Sequence, residues 1–100
     1  MKLGKKQELF TQALALLDFQ KDEAKRLGFE RSNHTLRLAA DLNLFRAGKF
    51  LTRSEDHRIL GEFWEGLSGD YEGERLTFCW GGRFSRPDGN HYSIENKGTK

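Results

Sequence analysis

The chain holds a single cysteine, Cys79, so no internal disulfide can staple it. Its setting, Leu76-Thr77-Phe78-Cys79-Trp80, reads as a buried structural thiol. Long apolar runs are missing too: the longest, Ala13 to Leu17, falls far short of the roughly 20 residues that span a bilayer. Met1-Lys2-Leu3-Gly4-Lys5-Lys6 carries the charge of a secretory n-region. Gln7, Glu8 and Gln12 interrupt the apolar stretch that would have to follow, and no targeting peptide is read. Neither sign of charge dominates, since 17 basic and 15 acidic residues leave +2. That balance argues against nucleic-acid binding as the main role and leaves a weak attraction to acidic polymers.

What is present suffices for one domain, 1–100. Hydrophobic residues make up 36% and charged residues 32%, with two Trp, eight Phe and two Tyr, enough apolar bulk for one small core. A bound metal would help a core of this size hold together.

Leu9, Phe10, Ala13, Leu14 and Leu17 recur at helical spacing and predict an amphipathic helix that runs to about Arg26 and closes at Gly28. From Leu36 to Phe45 the period changes to two. Leu38, Ala40, Leu42 and Leu44 share one face of a strand, and Asp41 projects from the less apolar one. Arg46 to Lys49 reads as a turn into a short strand at Phe50-Leu51. Ser54 offers an N-cap to a second helix whose apolar stripe is Ile59, Leu60, Phe63, Trp64 and Leu67, ending near Ser68-Gly69. Asp70 to Glu74 reads as a loop, Leu76 to Trp80 as a strand, Gly81 to Asn90 as a long turn region and His91 to Ile94 as a last strand, with Glu95 to Lys100 as a frayed tail. This order predicts an α+β domain, a small antiparallel sheet packed with two main helices.

Four side chains can supply a hydrolytic metal site: His34 and Asp41, seven residues apart, and Asp88 and His91, three apart at the end of the Gly-rich turn. An open catalytic zinc takes three nitrogen or oxygen ligands and leaves the fourth position to a water whose pKa falls to about 7. His34, Asp41 and His91 meet that count, and Asp88 is left as general base. Taken singly these residues have plainer uses. A lone histidine is commonly a surface or hydrogen-bonded residue, and Pro87-Asp88-Gly89 is a turn signal in its own right. Alternation alone does not curve the chain so that His34 meets Asp41. His57, among Glu55, Asp56 and Arg58 in the first helical turn, reads as a solvated position outside the site. Trp80 and Phe84 flank Gly81 and Gly82, and core packing is preferred for both over lining a groove.

The segment Ser32-Asn33-His34-Thr35-Leu36-Arg37-Leu38-Ala39-Ala40-Asp41 resembles the Ser-x-His-(x)6-Asp signature of peptidase family M15, the D-alanyl-D-alanine carboxypeptidase and phage L-alanyl-D-glutamate endopeptidase group. Gly61-Glu62-Phe63-Trp64-Glu65, Trp80-Gly81-Gly82-Arg83-Phe84 and Asp88-Gly89-Asn90-His91-Tyr92-Ser93 continue the likeness in order, over about Ser32 to Glu95. The resemblance implies a hedgehog/DD-peptidase-like fold, with His34, Asp41 and His91 as zinc ligands, Asp88 as catalytic base and Ser32 as a substrate contact. Arg37 stands where the family often carries Gly. A second departure lies upstream: relatives place a strand and an Arg-bearing turn before the Ser-x-His motif, whereas Gly28-Phe29-Glu30-Arg31 alone separates the expected helix end from Ser32. The arginine of that turn has no clear counterpart.

The leading expectation is a zinc-dependent peptidase that cleaves peptidoglycan stem peptides, of the phage or prophage endolysin kind, made in the cytoplasm without a signal peptide and acting on the bacterial cell wall after release. Its partner is then a peptidoglycan peptide, with no nucleic acid and no membrane, and the chain is expected to be a monomer. The alternative is a catalytically weak or inactive wall-binding or structural module that retains the fold.

Overall fold

A computed structural model describes residues 1–23, 27–33, 38–46, 49–51 and 53–100, with the backbone alone at 18, 20–23, 27–33 and 46. Helix α1 (Leu3–Glu23) is built from strong helix formers, and its interior beyond Gly4 is free of Gly and Pro. Phe10, Ala13, Leu14 and Leu17 fall on one stripe and are all buried. Helix α2 (Arg58–Glu65) follows a 3-10 turn at Ser54–His57 and buries Leu60, Gly61 and Trp64. Among the described residues no helix is long and apolar enough to cross a membrane.

The main sheet is antiparallel throughout. Strands β1 (Leu27–Asn33), β2 (Ala39–Arg46), β7 (His91–Ile94) and β6 (Phe78–Trp80) lie in the order β1-β2-β7-β6, and β3 (Lys49–Leu51) pairs with β2. A separate hairpin joins β4 (Gly69–Tyr71) to β5 (Glu74–Leu76). The architecture is α+β, as the sequence predicts. One edge of β2 is shared between two partners: β7 lies along Ala39 to Asp41, and β3 along Leu44 to Arg46. At the changeover the Leu42 N–H donates to the Asn90 carbonyl at 2.8 Å.

Alternation along β2 sends Ala40, Leu42 and Leu44 into the core. Through the register these join Tyr92 and Ile94 of β7 and Phe78 and Trp80 of β6 under the two helices. Trp64 is the hub, edge-on to Phe10, Phe78 and Tyr92, and its indole N–H donates to the Ser93 carbonyl at 2.9 Å. The opposite face of the same strands carries Asp41 and His91. Cys79 is buried, and burial pushes its thiol pKa up, as expected of a structural thiol.

Several sequence expectations are corrected. Helix α1 is described to Glu23, and the end expected near Arg26 lies outside the described residues; Gly28, expected to close the helix, sits inside strand β1, which fills the place upstream of the Ser-x-His motif where no strand was expected. The loop expected at Asp70 to Glu74 is the β4–β5 hairpin, turned by Glu72 and Gly73 at φ 52° and 81°. Lys97 and Gly98 turn the C-terminal residues in the same way, and Asn96 and Thr99 exchange two backbone hydrogen bonds at 2.8 and 2.9 Å, so this stretch is not a frayed tail. Ile59, placed on the apolar stripe of α2, is 67% exposed.

Candidate metal centre and its cleft

Asp41 and His91 are direct cross-strand partners on β2 and β7, so their side chains leave the same face of the sheet. Asp41 Oδ1 stands 3.6 Å from His91 Nδ1. That is long for a direct hydrogen bond and close to the ~3.3 Å between two ligand atoms of one tetrahedral zinc. Asp88 comes to the same place from the turn before β7, and ligand atoms of Asp41, Asp88 and His91 all lie within 4.8 Å of one another. Burial grades across the cluster. His91 is buried, Asp41 is partly covered and Asp88 is exposed at the rim. The donor set, one imidazole and two carboxylates, suits a divalent cation of borderline hardness such as zinc, whose charge would offset the two acidic groups.

The turn that carries Asp88 is held at nearly every backbone group. Asp88 N–H donates to the Gly81 carbonyl at 2.9 Å, and the Asp88 carbonyl accepts from His91 N–H at 3.0 Å. Gly89 N–H donates to Ser54 Oγ at 2.9 Å, and the Gly89 carbonyl accepts from the Trp80 indole at 2.7 Å. A Cβ on Gly89 would collide with Ser54, and one on Gly81 with the Asp88 carbonyl, so both close approaches require glycine. Trp80 is in turn clamped, with Gly61 and Gly82 against its ring and Arg83 5.3 Å from the ring centroid, tied by its Nε to Glu65 Oε2 at 3.1 Å. Phe84 lies against the His91 ring with centroids 5.3 Å apart. Asp88 is thus both the turn former and a member of the cluster.

Beside the cluster, where β2 passes from β7 to β3, a cleft of about 220 Å³ is lined by Asn43, Arg53, Ser54, His57, Asp88 and Asn90, among others. Two of these correct the sequence reading. Ser54 makes no helix-capping bond, its hydroxyl being used on Gly89, while Asp56 Oδ2 accepts from Arg53 N–H at 3.2 Å. His57 is not solvated: it is 2% exposed, and its Nδ1 lies 2.9 Å from the Tyr92 hydroxyl. Burial pushes the His57 pKa down to about 4, against a weaker upward pull from Asp56, and raises that of Tyr92.

Of the residues singled out from sequence, Asp41, Asp88 and His91 come together. Ser32 stands opposite Asp41 in the β1–β2 register. His34 lies outside the described residues, as do Arg26 and Arg37. Sequence reasoning passed over Arg53 and Asn43, which line the cleft beside the cluster.

The family model described as D-alanyl-D-alanine carboxypeptidase, of the M15 peptidases, matches residues 27–94. The chain belongs to the M15 peptidase family. Its matched stretch runs from the first residue of β1 to the last of β7 and so contains the whole main sheet and all three clustered residues, while α1 lies outside it. No curated protein and no solved structure gives a significant match to the chain. M15 membership makes this a peptidase of the D-alanyl-D-alanine carboxypeptidase type, for which a peptidoglycan peptide is the implied substrate.

Proposed function

We propose that the chain, as a single 1–100 domain, is a zinc peptidase that cleaves peptidoglycan stem peptides, at a D-alanyl-D-alanine or an L-alanyl-D-glutamate bond, in the manner of a phage or prophage endolysin. The observation that carries this reading is the convergence of Asp41, Asp88 and His91 within 4.8 Å inside the family-matched stretch. In this reading His34, Asp41 and His91 hold the metal. A zinc ion bound there would supply Lewis acidity, lowering the pKa of a water and polarising the scissile carbonyl.

The remaining work belongs to the chain. Asp88, exposed at the rim on a turn braced by Ser54 and Trp80, takes a proton from the attacking water and returns it to the leaving amine. The buried position of His91 fixes its ring, with Phe84 beside it. Ser32, level with Asp41 in the sheet, contacts substrate.

The test compares zinc-loaded wild type, chelator-treated protein and Asp88→Asn on purified peptidoglycan, reading new amine ends and bound zinc. Wild type should release amines. Chelation should stop release, and Asp88→Asn should lower it by about 10²- to 10⁴-fold with zinc still bound one to one. Binding to wall sacculi without amine release, unchanged in Asp88→Asn, would overturn the peptidase reading in favour of a wall-binding module.

A further inference from the structure

His57 lines the same cleft as Asp88, and the metal reading gives it no part. Its side chain is only 2% exposed, so the little surface it keeps opens on that cleft. Nδ1 lies 2.9 Å from the Tyr92 hydroxyl. The other ring nitrogen, Nε2, has no hydrogen-bond partner among the described residues, yet it is not sealed from solvent. A polar atom so placed is satisfied only by what enters the cleft.

The role open to Nε2 follows from Tyr92. That side chain is fully buried, and its hydroxyl has no second partner among the described residues. A phenol carries its proton at working pH, and a buried O–H needs an acceptor. Nδ1 is the acceptor in reach, so it presents its lone pair to Tyr92, and the single proton of the neutral ring sits on Nε2. Burial keeps the ring neutral, with a pKa near 4. The opposite tautomer would turn two hydrogens toward each other and leave the phenol proton without a partner.

We propose that His57 is a substrate-binding residue, locked by Tyr92 in the Nε2–H tautomer, and that this N–H donates to a backbone carbonyl oxygen of the peptide lying in the cleft. The inference rests on the peptidase reading of the Asp88 cluster and deepens it by naming a group that orients the peptide beside the cut. The ring offers the cleft a donor and no acceptor, so it takes a carbonyl and not an amide N–H, which sets the face that the peptide presents. In that reading the scissile carbonyl belongs to the metal, and His57 takes a neighbouring one. Its bond then holds substrate and transition state alike and is felt in KM rather than kcat.

The probe is N-acetyl-L-alanyl-γ-D-glutamyl-L-lysyl-D-alanyl-D-alanine, a soluble stem peptide that contains both candidate bonds. Long-range ¹H–¹⁵N spectra of the zinc-loaded full chain should place the His57 proton on Nε2, the signal being assigned by its loss in His57→Asn. Adding the peptide to zinc-loaded Asp88→Asn, which cuts slowly, should move that resonance. His57→Asn reaches Tyr92 with its amide oxygen but is too short to put a donor in the cleft. It should raise KM about tenfold with kcat within about twofold of wild type. His57→Gln, whose longer amide offers an oxygen to Tyr92 and an N–H to the cleft, should recover most of that KM.

A proton on Nδ1, a resonance that the peptide does not move, or an unchanged KM in His57→Asn overturns the proposal. A fall in kcat at constant KM overturns it too, since His57 would then support the cluster and not hold substrate. Peptide that shifts the His57 resonance but is not hydrolysed by wild type leaves the binding role standing and removes the peptidase. Hydrolysis with an unmoved His57 resonance keeps the peptidase and removes His57 from its substrate site.

Discussion

Ser54 shows how one hydroxyl can matter more to a site than to the element that bears it. Its Oγ is the acceptor for Gly89 N–H, across 35 positions of sequence, and no described side chain replaces it there. In Ser54→Ala a partly buried N–H loses its partner, which should cost about 1–2 kcal/mol in urea unfolding. The Asp88 carboxylate would then be less well placed, so kcat should fall several-fold with little change in KM. A wild-type kcat in a measurably destabilised Ser54→Ala would show that the turn holds Asp88 without this bond.

His57 makes a second prediction at the same scale. Its pKa falls from 6.5 to about 4 on folding, so between those values the unfolded chain takes up a proton that the folded chain refuses. The corresponding stability is complete above about pH 6.5 and is lost as pH falls through 4, on the order of 3 kcal/mol in all. His57→Gln keeps a polar partner for the Tyr92 hydroxyl but does not titrate. Urea midpoints taken at pH 7 and pH 4.5 should drop less in this variant than in wild type. Equal drops would mean that His57 is not held neutral by burial.

At the scale of elements, legibility followed how local the cause was. Strand β2 was readable because Leu38, Ala40, Leu42 and Leu44 repeat with period two and all face one core, and α1 because its stripe is strict at Phe10, Ala13, Leu14 and Leu17. Strand β1 was not, since Leu27-Gly28-Phe29-Glu30-Arg31-Ser32-Asn33 has no alternation and contains Gly; its state comes from pairing with β2 along seven positions. Ile59 fits a helical stripe by spacing, yet α2 has only eight residues, and its buried face is set by Leu60, Gly61 and Trp64 against β6 and α1.

The candidate site divides the same way. The types and spacing of Asp41, Asp88 and His91 were visible in the chain, but the register that sets Asp41 opposite His91, and the Ser54 and Trp80 bonds that brace Asp88, are long-range contacts that spacing does not encode. Gly61 tests the element-level account. A methyl there would fall on the Trp80 indole, so α2 must draw away from β6 in Gly61→Ala, at about 1–3 kcal/mol. The same shift should loosen the Trp80–Gly89 bond and lower kcat. A Gly61→Ala protein with wild-type thermal stability would refute this packing.

For the molecule as a whole, the proposed metal would tie together what the fold brings from far apart. Strand β2 and strand β7 are 45 residues or more distant in sequence, yet they adjoin at Asp41 and His91, and β7 also carries the core residues Tyr92 and Ile94 that pack beneath the helices. A cation bound between them would therefore stabilise the centre of the sheet rather than a loop. Binding to the folded chain alone adds about 2.7 kcal/mol when free zinc is 100 times its dissociation constant, and in a domain of this size each kcal/mol moves Tm by roughly 4–8 °C. Saturating zinc should thus raise Tm by about 10 °C or more, and excess chelator should return it to the metal-free value. Asp41→Asn should abolish most of the rise, whereas Asp88→Asn, which removes the proposed base and not a proposed ligand, should keep it. A zinc-induced rise that is lost in Asp88→Asn and kept in Asp41→Asn would exchange the roles given to the two carboxylates.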